Sequence, residues 1–312
     1  MTLHRSRSRE FVHATLLLVL ATTLAFSPDA YLPMLARAFM LQWATGFAAL
    51  AIIAAIRGRW WFTWSALMAA LMVVAQVRVP EMRPSFGEGG GPSLRVAQMN
   101  VLQPNSEHTE VIRCAMASHA DLISFQEVSP EWAEVLSVGL RGTYPYQHIE
   151  PRTDCYGIAL FSRAPFTDVR TIVVGGSPFV EALVQVGERS VRVLAVHASS
   201  PTSYSHFKTR NAQLDVLAKS VAADDIPTVV VGDLNTVPWD RAYTRFCRRS
   251  GLTPRDGTDM RSWPSIGPVA LIPLDHVLAS VDVTTIATST FHLPGSDHRG
   301  LLAELQLQAH AR

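Results

Sequence analysis

The chain has 312 residues, enough for one large domain or two, and its net charge is only +1. Seven arginines and two acidic residues precede residue 79, which leaves 20 basic and 24 acidic residues in the remainder. Proteins that bind nucleic acid mainly through phosphate contacts are usually basic, so this balance argues against a polynucleotide as the main substrate. Cys114, Cys155 and Cys247 form no CxxC or zinc pattern, and they allow a single disulfide without requiring one.

Three apolar runs open the chain, at Phe11 to Phe26, Ala38 to Ile56 and Trp60 to Val77. The second and third contain no charged residue and approach the length that crosses a bilayer. Tryptophans cluster at the start of the third run, as at a membrane interface. The sequence therefore predicts a membrane domain of three transmembrane helices in residues 1–77.

The basic residues at this end of the chain predict its orientation. Arginines precede the first apolar run and lie between the second and third, whereas the first loop has no basic residue before Arg37. The positive-inside rule then places the N-terminus in the cytoplasm and everything after Val77 outside, in a multi-pass protein of the cell (inner) membrane. The first run also fits a cleaved signal peptide, which would leave this orientation unchanged.

Residues 78–93 are rich in proline and glycine and show no periodicity, which predicts a flexible tether. From residue 94 to residue 312 short β-branched runs are mixed with amphipathic stretches without strict alternation. The predicted strands are Leu94 to Met99, Asp121 to Gln126, Gly157 to Ser162, Val180 to Val186, Val191 to His197, Thr228 to Gly232, His276 to Ser280 and Leu301 to Leu307. The predicted helices are Glu107 to Ser118, Glu131 to Val138, Ser205 to Ala222 and Trp239 to Ser250. This mixture favours two packed sheets flanked by helices.

The stretch from Ile226 to Asp240 organises this domain. A buried strand ends at Gly232, and Asp233 and Asn235 follow at positions i and i+2, where both side chains leave the same face of extended backbone. A carboxylate there can orient or deprotonate a water, while an amide can donate to an oxyanion. Asp and Asn after a strand are also common turn formers, so this motif alone is ambiguous.

Polar residues recur at the ends of the other predicted strands. Any one of them could be a turn former, a strand cap or a solvated carboxylate. They are Asn100, Glu127, His197, the pair Asp275 and His276, and the pair Asp297 and His298. Their shared position indicates one common site.

The order and spacing of these motifs resemble the endonuclease/exonuclease/phosphatase superfamily, whose members include DNase I and sphingomyelinases. The matching segments are RVAQMNV, DLISFQEV, YGIALFSRAPF, LAVHASSP, VVVGDLNT, LDHVLAS and GSDHRGLLAEL, which together cover nearly all of residues 94–307. The resemblance implies an α+β fold, a four-layer α/β/β/α sandwich, in residues 94–312. Three predicted spans followed by such a domain also resemble a membrane-anchored bacterial branch of the superfamily. This branch comprises phosphatases that are linked to glycopeptide resistance and are thought to act on the polyprenyl pyrophosphate carrier.

The resemblance also implies a divalent cation, Mg²⁺ or Mn²⁺, and a set of residues to hold it. Glu127 is the main expected ligand, with Asn100 beside it and Asp297 either reaching the metal or orienting its neighbour. Some DNA-repair members carry an acidic residue two positions after the Asn; here that residue is Leu102. The expected metal carboxylate is therefore mainly Glu127.

The remaining motif residues receive catalytic roles from the same resemblance. Asp233 would position or deprotonate the attacking water, and Asn235 would hold a non-bridging phosphoryl oxygen. Asp275 would accept a hydrogen bond from His298 and stabilise its cationic form, and His197 would offer a second cationic or acidic contact.

The predicted function is a membrane-tethered, metal-dependent hydrolase of phosphoric esters or pyrophosphates, free or lipid-linked, acting outside the cytoplasm. Its expected partners are the lipid bilayer and a phosphorylated substrate, and nucleic acid is a less favoured partner. A nuclease acting on DNA or RNA is the alternative enzyme, and a membrane-anchored binding module is the non-enzymatic one. Specificity would lie in the loops Gly142 to Thr153, Pro201 to Phe207 and Thr253 to Pro273, where Tyr144, Tyr146 and Trp263 either line an apolar groove or anchor the loops.

Overall fold

The computed structural model describes residues 2–77, 91–254 and 260–308. Contacts divide the chain into two compact units. The first comprises Met1–Val79 with Pro238–Arg241, and the second comprises Pro80–Val237 with Ala242–Arg312. Most of the predicted tether, residues 78–90, lies outside the described residues.

Helices account for the apolar runs of the N-terminal unit. They are α1 (Thr2–Phe26), α2 (Tyr31–Ala38), α3 (Met40–Ile56) and α4 (Trp60–Val74). Within α1, the segment Ser8–Phe26 is long and apolar enough to cross a membrane. The α2–α3 pair passes the same criterion only if both helices, which meet at a 65° bend, count as one span.

The prediction of three transmembrane helices is thus supported for one helix, or two if the bent pair is a single span. Helix α4 has 15 residues, which at 1.5 Å per residue is about 22 Å, against a hydrocarbon core of about 30 Å. Length is therefore what separates α4 from a standard membrane span.

The second unit contains two six-stranded sheets. The first has the strand order β13-β14-β1-β2-β4-β3 and consists of β1 (Ser93–Asn100), β2 (Leu122–Gln126), β3 (Tyr146–Glu150), β4 (Ile158–Ser162), β13 (Val283–His292) and β14 (Arg299–Leu307). The second has the order β5-β6-β7-β8-β12-β9 and consists of β5 (Phe166–Val174), β6 (Ser177–Val186), β7 (Arg189–His197), β8 (Thr228–Asp233), β9 (Thr253–Pro254) and β12 (Asp275–Ala279). A separate hairpin pairs β10 (Trp263–Ile266) with β11 (Val269–Ile272).

The two sheets pack face to face over one apolar layer, to which alternate residues of the central strands contribute. Val96 of β1, Leu122 of β2, Val231 of β8 and Val277 of β12 all belong to this layer. The intervening residues face outward, because successive side chains of a strand point to opposite sides of the sheet.

The outward faces are covered by helices. Helices α5 (His108–Ala117) and α6 (Pro130–Leu140) pack on the first sheet, in the cluster that contains Trp132. Helices α7 (Tyr204–Val221) and α8 (Arg241–Ser250) pack on the second, in the cluster that contains Phe246. The order of layers is helix, sheet, sheet, helix, as expected for an α/β/β/α sandwich.

All eight predicted strands and all four predicted helices of this unit are present. The strands missing from the prediction are the four sheet edges β3, β5, β9 and β13, and the two strands of the hairpin. Edge strands are exposed along one side and on much of one face. For example, β5 has only one fully buried residue, so the apolar alternation that indicates a strand is weak there.

Candidate active site

The inward-facing positions of β1 and β2 change from apolar to polar along each strand. In β1, Leu94 and Val96 are followed by Gln98 and Asn100 on the same face. The two strands are parallel, with Asn100 opposite Gln126. Glu127 follows Gln126 directly and therefore lies at the same edge of the first sheet as Asn100.

The second sheet changes in the same way at the same end of the apolar layer. His197, the last residue of β7, lies opposite Asp233, the last residue of β8. Asp275, the first residue of the antiparallel β12, also lies opposite Asp233. Gly232 makes this close packing possible, because a Cβ at this position would lie 1.9 Å from the carbonyl oxygen of Val196.

One amide group links residues from four separate strand ends. The Asn100 Nδ2 atom lies 3.1 Å from Glu127 Oε1, 3.2 Å from Asp233 Oδ2 and 3.4 Å from His298 Nε2. The structure thus brings together residues that are up to 198 positions apart in the chain.

Asp275 and His298 form a buried pair. The Nδ1 atom of His298 donates to Asp275 Oδ2 at 2.7 Å. Burial opposes the charged form of His298, but the Asp275 carboxylate outweighs burial and raises the pKa of His298 to about 10. Burial likewise opposes ionisation of Asp275, yet the imidazolium holds the pKa of Asp275 below its ordinary value. The pair is therefore ionic at neutral pH, with Nε2 of His298 directed toward the rest of the site.

Asp233 lies at the centre of the cluster. Its Oδ1 accepts a hydrogen bond from the Asn235 backbone N–H at 2.8 Å, and its Oδ2 lies 3.7 Å from Nε2 of both His197 and His298. Burial, followed by the nearby Asp275 carboxylate, raises the pKa of Asp233 to about 7. A carboxylate with a pKa near neutrality is well matched to accepting a proton from a water.

His197, for which a cationic or acidic contact is predicted, differs from His298 in its charge state. Its pKa falls to about 4, mainly because the ring is buried and further because the cationic His298 is close. Its Nδ1 is buried and has no hydrogen-bond partner among the described residues. His197 is therefore a neutral imidazole in the metal-free protein, able to donate or accept one hydrogen bond at each end.

The side chains of Asn235 and Asp297 already form hydrogen bonds within the protein, which limits how many contacts each can offer to a ligand. The Asn235 side-chain nitrogen donates to the Ala198 carbonyl oxygen at 2.9 Å, so one of its two N–H groups is already used. Asp297 accepts a hydrogen bond from the Trp263 indole at 2.8 Å, and its other oxygen is buried without a partner within the described ranges. Metal ligation by Asp297 remains a prediction.

Two of the aromatic side chains proposed for a substrate groove have anchoring contacts instead. Tyr144 is fully buried and donates to the Ala120 carbonyl oxygen, while Trp263 binds Asp297. Tyr146 is 39% exposed and belongs to edge strand β3. The predicted loops around these residues contain regular strands, and residues 255–259 of the third loop lie outside the described part of the chain.

The backbone is strained around the cluster. Four non-glycine residues in the described ranges have positive φ, and three of them belong to the site segments: Leu102 at 59°, Glu127 at 62° and Asn235 at 49°. Such conformations cost about 1 to 3 kcal/mol each and persist where the surrounding structure enforces them. Their concentration here supports a functional origin for the strain.

The donor set fits a divalent cation that prefers oxygen ligands. Asp233, Asp275 and His298 offer ligand atoms within 4.8 Å of one another, and Glu127 lies beyond Asn100. Asp275 is held by the His298 imidazolium and by Gln98. Among the residues that the structure describes, Glu127 accepts hydrogen bonds only from the neutral N–H groups of Asn100 and Gln103, so it is better placed than Asp275 to serve a metal, with Asp233 on the other side of Asn100. Within the described ranges, no lysine or arginine forms an ion pair with these three carboxylates, which leaves an excess of negative charge.

Sequence reasoning overlooked several residues that support the site. Gln98 and Gln126 form a buried amide network beneath Asp275, and the buried Arg210 donates to the Asn235 carbonyl oxygen. The Tyr156 ring lies 5.3 Å from the His197 ring. The sequence does contain a pattern that indicates the two glutamines. Every second residue of β1 and β2 faces inward, and continuing this alternation from the apolar inward residues leads to Gln98 and Gln126.

Two facing sheets between helices thus carry a cluster of carboxylate, amide and imidazole groups at one end of the layer that they enclose. The model of the Endonuclease/Exonuclease/phosphatase family matches residues 97–298, more than half of the chain. The chain therefore belongs to this family, whose members are hydrolases acting on phosphoester bonds. Comparison with curated protein sequences gives no significant match.

Solved structures show the same fold at low sequence identity. An endonuclease/exonuclease/phosphatase from Beutenbergia cavernae is 20% identical, with 70% of this chain and 72% of that chain covered and a TM-score of 0.55. Sphingomyelinase C from Streptomyces griseocarneus is also 20% identical, with 68% and 99% covered and a TM-score of 0.52. TDP2 from D. rerio, solved with a single-strand DNA product, is 16% identical, with 69% and 99% covered and a TM-score of 0.55.

Proposed function

We propose that the protein is a membrane-anchored, divalent-metal-dependent phosphoesterase that hydrolyses a phosphate ester or pyrophosphate at the extracytoplasmic face. The observation that carries the proposal is the convergence of Glu127, Asp233 and His298 on the Asn100 amide. Among the described residues, no lysine or arginine forms an ion pair with Glu127 or Asp233. A phosphate ester resists attack because its oxygens repel the nucleophile, so its hydrolysis needs positive charge and an aligned water.

Glu127, with Asn100 beside it, would hold Mg²⁺ or Mn²⁺. When bound, the cation supplies positive charge to the phosphoryl oxygens and orients the ester. Asp233 accepts the proton of the attacking water through Oδ2, the oxygen that faces His197 and His298. Oδ1 stays on the Asn235 backbone N–H throughout.

The imidazolium of His298 presents its Nε2–H to a non-bridging phosphoryl oxygen, and Asp275 keeps that imidazolium protonated. The remaining N–H of the Asn235 side chain binds a second oxygen without adding charge. Neutral His197 donates its single N–H to a polar group of the substrate or to the leaving oxygen. All these donors are fixed by the fold before substrate arrives, which lowers the reorganisation cost.

A lipid-linked substrate is the favoured case. The apolar N-terminal helices support attachment to a bilayer, and the acidic balance after residue 78 disfavours long polyanions. The positive-inside distribution of arginines supports an extracytoplasmic catalytic unit. A C-terminal reporter that is active only in the cytoplasm should then be silent, and a strong signal would contradict the proposed orientation.

The decisive experiment compares two substrates under one set of conditions. The purified full-length chain is incubated with Mg²⁺ and either farnesyl pyrophosphate or supercoiled plasmid DNA. We expect metal-dependent phosphate release from the pyrophosphate, abolished by EDTA and by Asp233→Asn, and little change in the plasmid.

A nuclease is the second candidate, because the similar TDP2 fold was solved with a DNA product. Cleavage of the plasmid without phosphate release from the pyrophosphate would favour it. Failure on both substrates and on a broad panel of phosphoesters would instead indicate a non-enzymatic binding module.

A further inference from the structure

The inner face of β1 carries a fully buried glutamine beside the candidate catalytic residues. Gln98 lies two residues before Asn100, on the same side of the strand, and is 0% exposed. Its Nε2 atom donates to Asp275 Oδ1 at 2.5 Å, across the interface between the two sheets. It also donates to Gln126 Oε1 at 2.7 Å, so both N–H groups of the amide are used.

The orientation of this amide is determined by its neighbours. The ionised Asp275 carboxylate is only an acceptor, so the nitrogen of Gln98 must face it. Gln126 is held in turn, because its own amide nitrogen donates to Ser124 Oγ at 2.6 Å. The carbonyl oxygen of Gln98 is left buried with no hydrogen-bond partner among the described residues.

An unpartnered buried carbonyl oxygen lowers stability, typically by about 1 to 3 kcal/mol. An apolar residue would avoid this cost, and the preceding inward position, Val96, carries one. What the glutamine provides in return is a donor for Asp275. Without Gln98, the oxygen of Asp275 that faces the first sheet would lose its side-chain amide donor in the interior of the sandwich.

Asp275 is thus held from two sides. Gln98 binds Oδ1, and His298 Nδ1 binds Oδ2 at 2.7 Å. A carboxylate held at both oxygens cannot rotate away from the imidazole, and this sets the direction of His298 Nε2 toward Asn100 and Asp233.

We propose that Gln98 is a positioning residue for the Asp275–His298 pair, in which its amide holds one carboxylate oxygen so that the other stays on the imidazole. The catalytic part of this inference rests on the proposed phosphoesterase function. The structural part, the effect of Gln98 on His298, does not.

The kinetic test uses Gln98→Leu in the full-length chain with farnesyl pyrophosphate and Mg²⁺. Removing a partner of a catalytic group that does not itself touch the substrate typically costs about 10- to 100-fold, and we expect such a loss in kcat with KM changed less than about twofold. Gln306→Leu is the matched control. The side-chain nitrogen of Gln306, a half-buried residue of β14, also donates a hydrogen bond, to the Gly91 carbonyl oxygen at 3.1 Å. Gln306 lies opposite Ser93, at the start of β1 and away from Asn100, so kcat of this variant should stay at the wild-type level.

A double-mutant cycle separates positioning from a general loss of structure. In a His298→Ala background, Gln98→Leu should reduce the remaining kcat by less than about twofold, since the group it positions is gone. An equal loss in both backgrounds would overturn the inference. Gln98→Met serves as a second variant if Gln98→Leu does not fold.

NMR of the metal-free protein gives a readout independent of activity. The His298 Nδ1 proton should resonate far downfield in the wild type, disappear in His298→Ala, and shift or broaden in Gln98→Leu but not in Gln306→Leu. An unchanged resonance in Gln98→Leu, or a kcat within about twofold of wild type, would refute the inference. If the wild type hydrolyses nothing, the proposed function fails while the NMR result still decides the role of Gln98.

Discussion

The two ends of the layer between the sheets use the same backbone arrangement for opposite purposes. Along β8, the inward side chains are Val229, Val231 and then Asp233; along β12, read toward the same end, they are Val277 and then Asp275. The apolar end stabilises the sandwich by burying hydrocarbon. The polar end buries carboxylates and amides at a cost in stability, which the raised pKa of Asp233 reflects. The candidate active site therefore occupies positions that apolar packing would otherwise fill.

Substitutions at the polar end should have the largest effect, and the quantity that they lower should be the catalytic rate. Glu127→Ala, Asp233→Asn and His298→Ala each remove a charged or acid–base group, and we expect turnover to fall by at least about 100-fold. The measurement is metal-dependent phosphate release at saturating substrate. Glu110→Ala, which removes an acid paired with Arg113 on α5, is the control and should retain activity. Near-normal turnover in Asp233→Asn or His298→Ala would contradict the assignment of this site.

A change at the apolar end should lower stability without affecting chemistry. Leu305 is fully buried on β14, where it pairs with Leu94. Leu305→Ala leaves a cavity and should lower the free energy of unfolding by about 2 to 5 kcal/mol, while kcat of the folded protein stays within about twofold of wild type. Chemical denaturation and kinetics at low temperature measure the two quantities. A large drop in kcat with little loss of stability in Leu305→Ala would contradict the proposal that the apolar end serves stability and the polar end serves catalysis.

The smallest expected effect is a gain in stability from removing the negative charge of Asp233. The pKa of Asp233 is about 7 in the folded protein, against about 3.9 in an unfolded chain. Its ionisation therefore weakens folding progressively as pH rises from about 4 to 7. Asp233→Asn should stabilise the metal-free protein on the order of 2 kcal/mol at pH 8, and the gain should shrink toward pH 4. Thermal unfolding in EDTA across this range is the measurement, and a pH-independent difference would contradict the shifted pKa.

The contrast between central and edge strands explains which elements the sequence could predict. The central strands β1, β2, β7 and β8 bury both faces, so their apolar runs stand out in the sequence. The edge strand β5 is largely exposed and shows no comparable pattern. Of the three predicted membrane spans, the structure supports one, or two if the bent α2–α3 pair is a single span. Helices α3 and α4 alone have 17 and 15 residues, and hydropathy by itself does not reveal where a helix ends.

For the site, chain-local patterns were enough to indicate that Asn100, Glu127, His197, Asp233 and His298 end or begin strands, because side-chain alternation and strand breaks are local properties. Which of them meet was decided by the register of strands that are far apart in the chain. That register places Asp275 opposite Asp233 and brings His298 onto Asp275. The pairing with Asp275 then made His298 cationic, whereas burial kept His197 neutral, although both are the same residue type. Desolvation and pairing depend on three-dimensional neighbours, and only the folded structure supplies those.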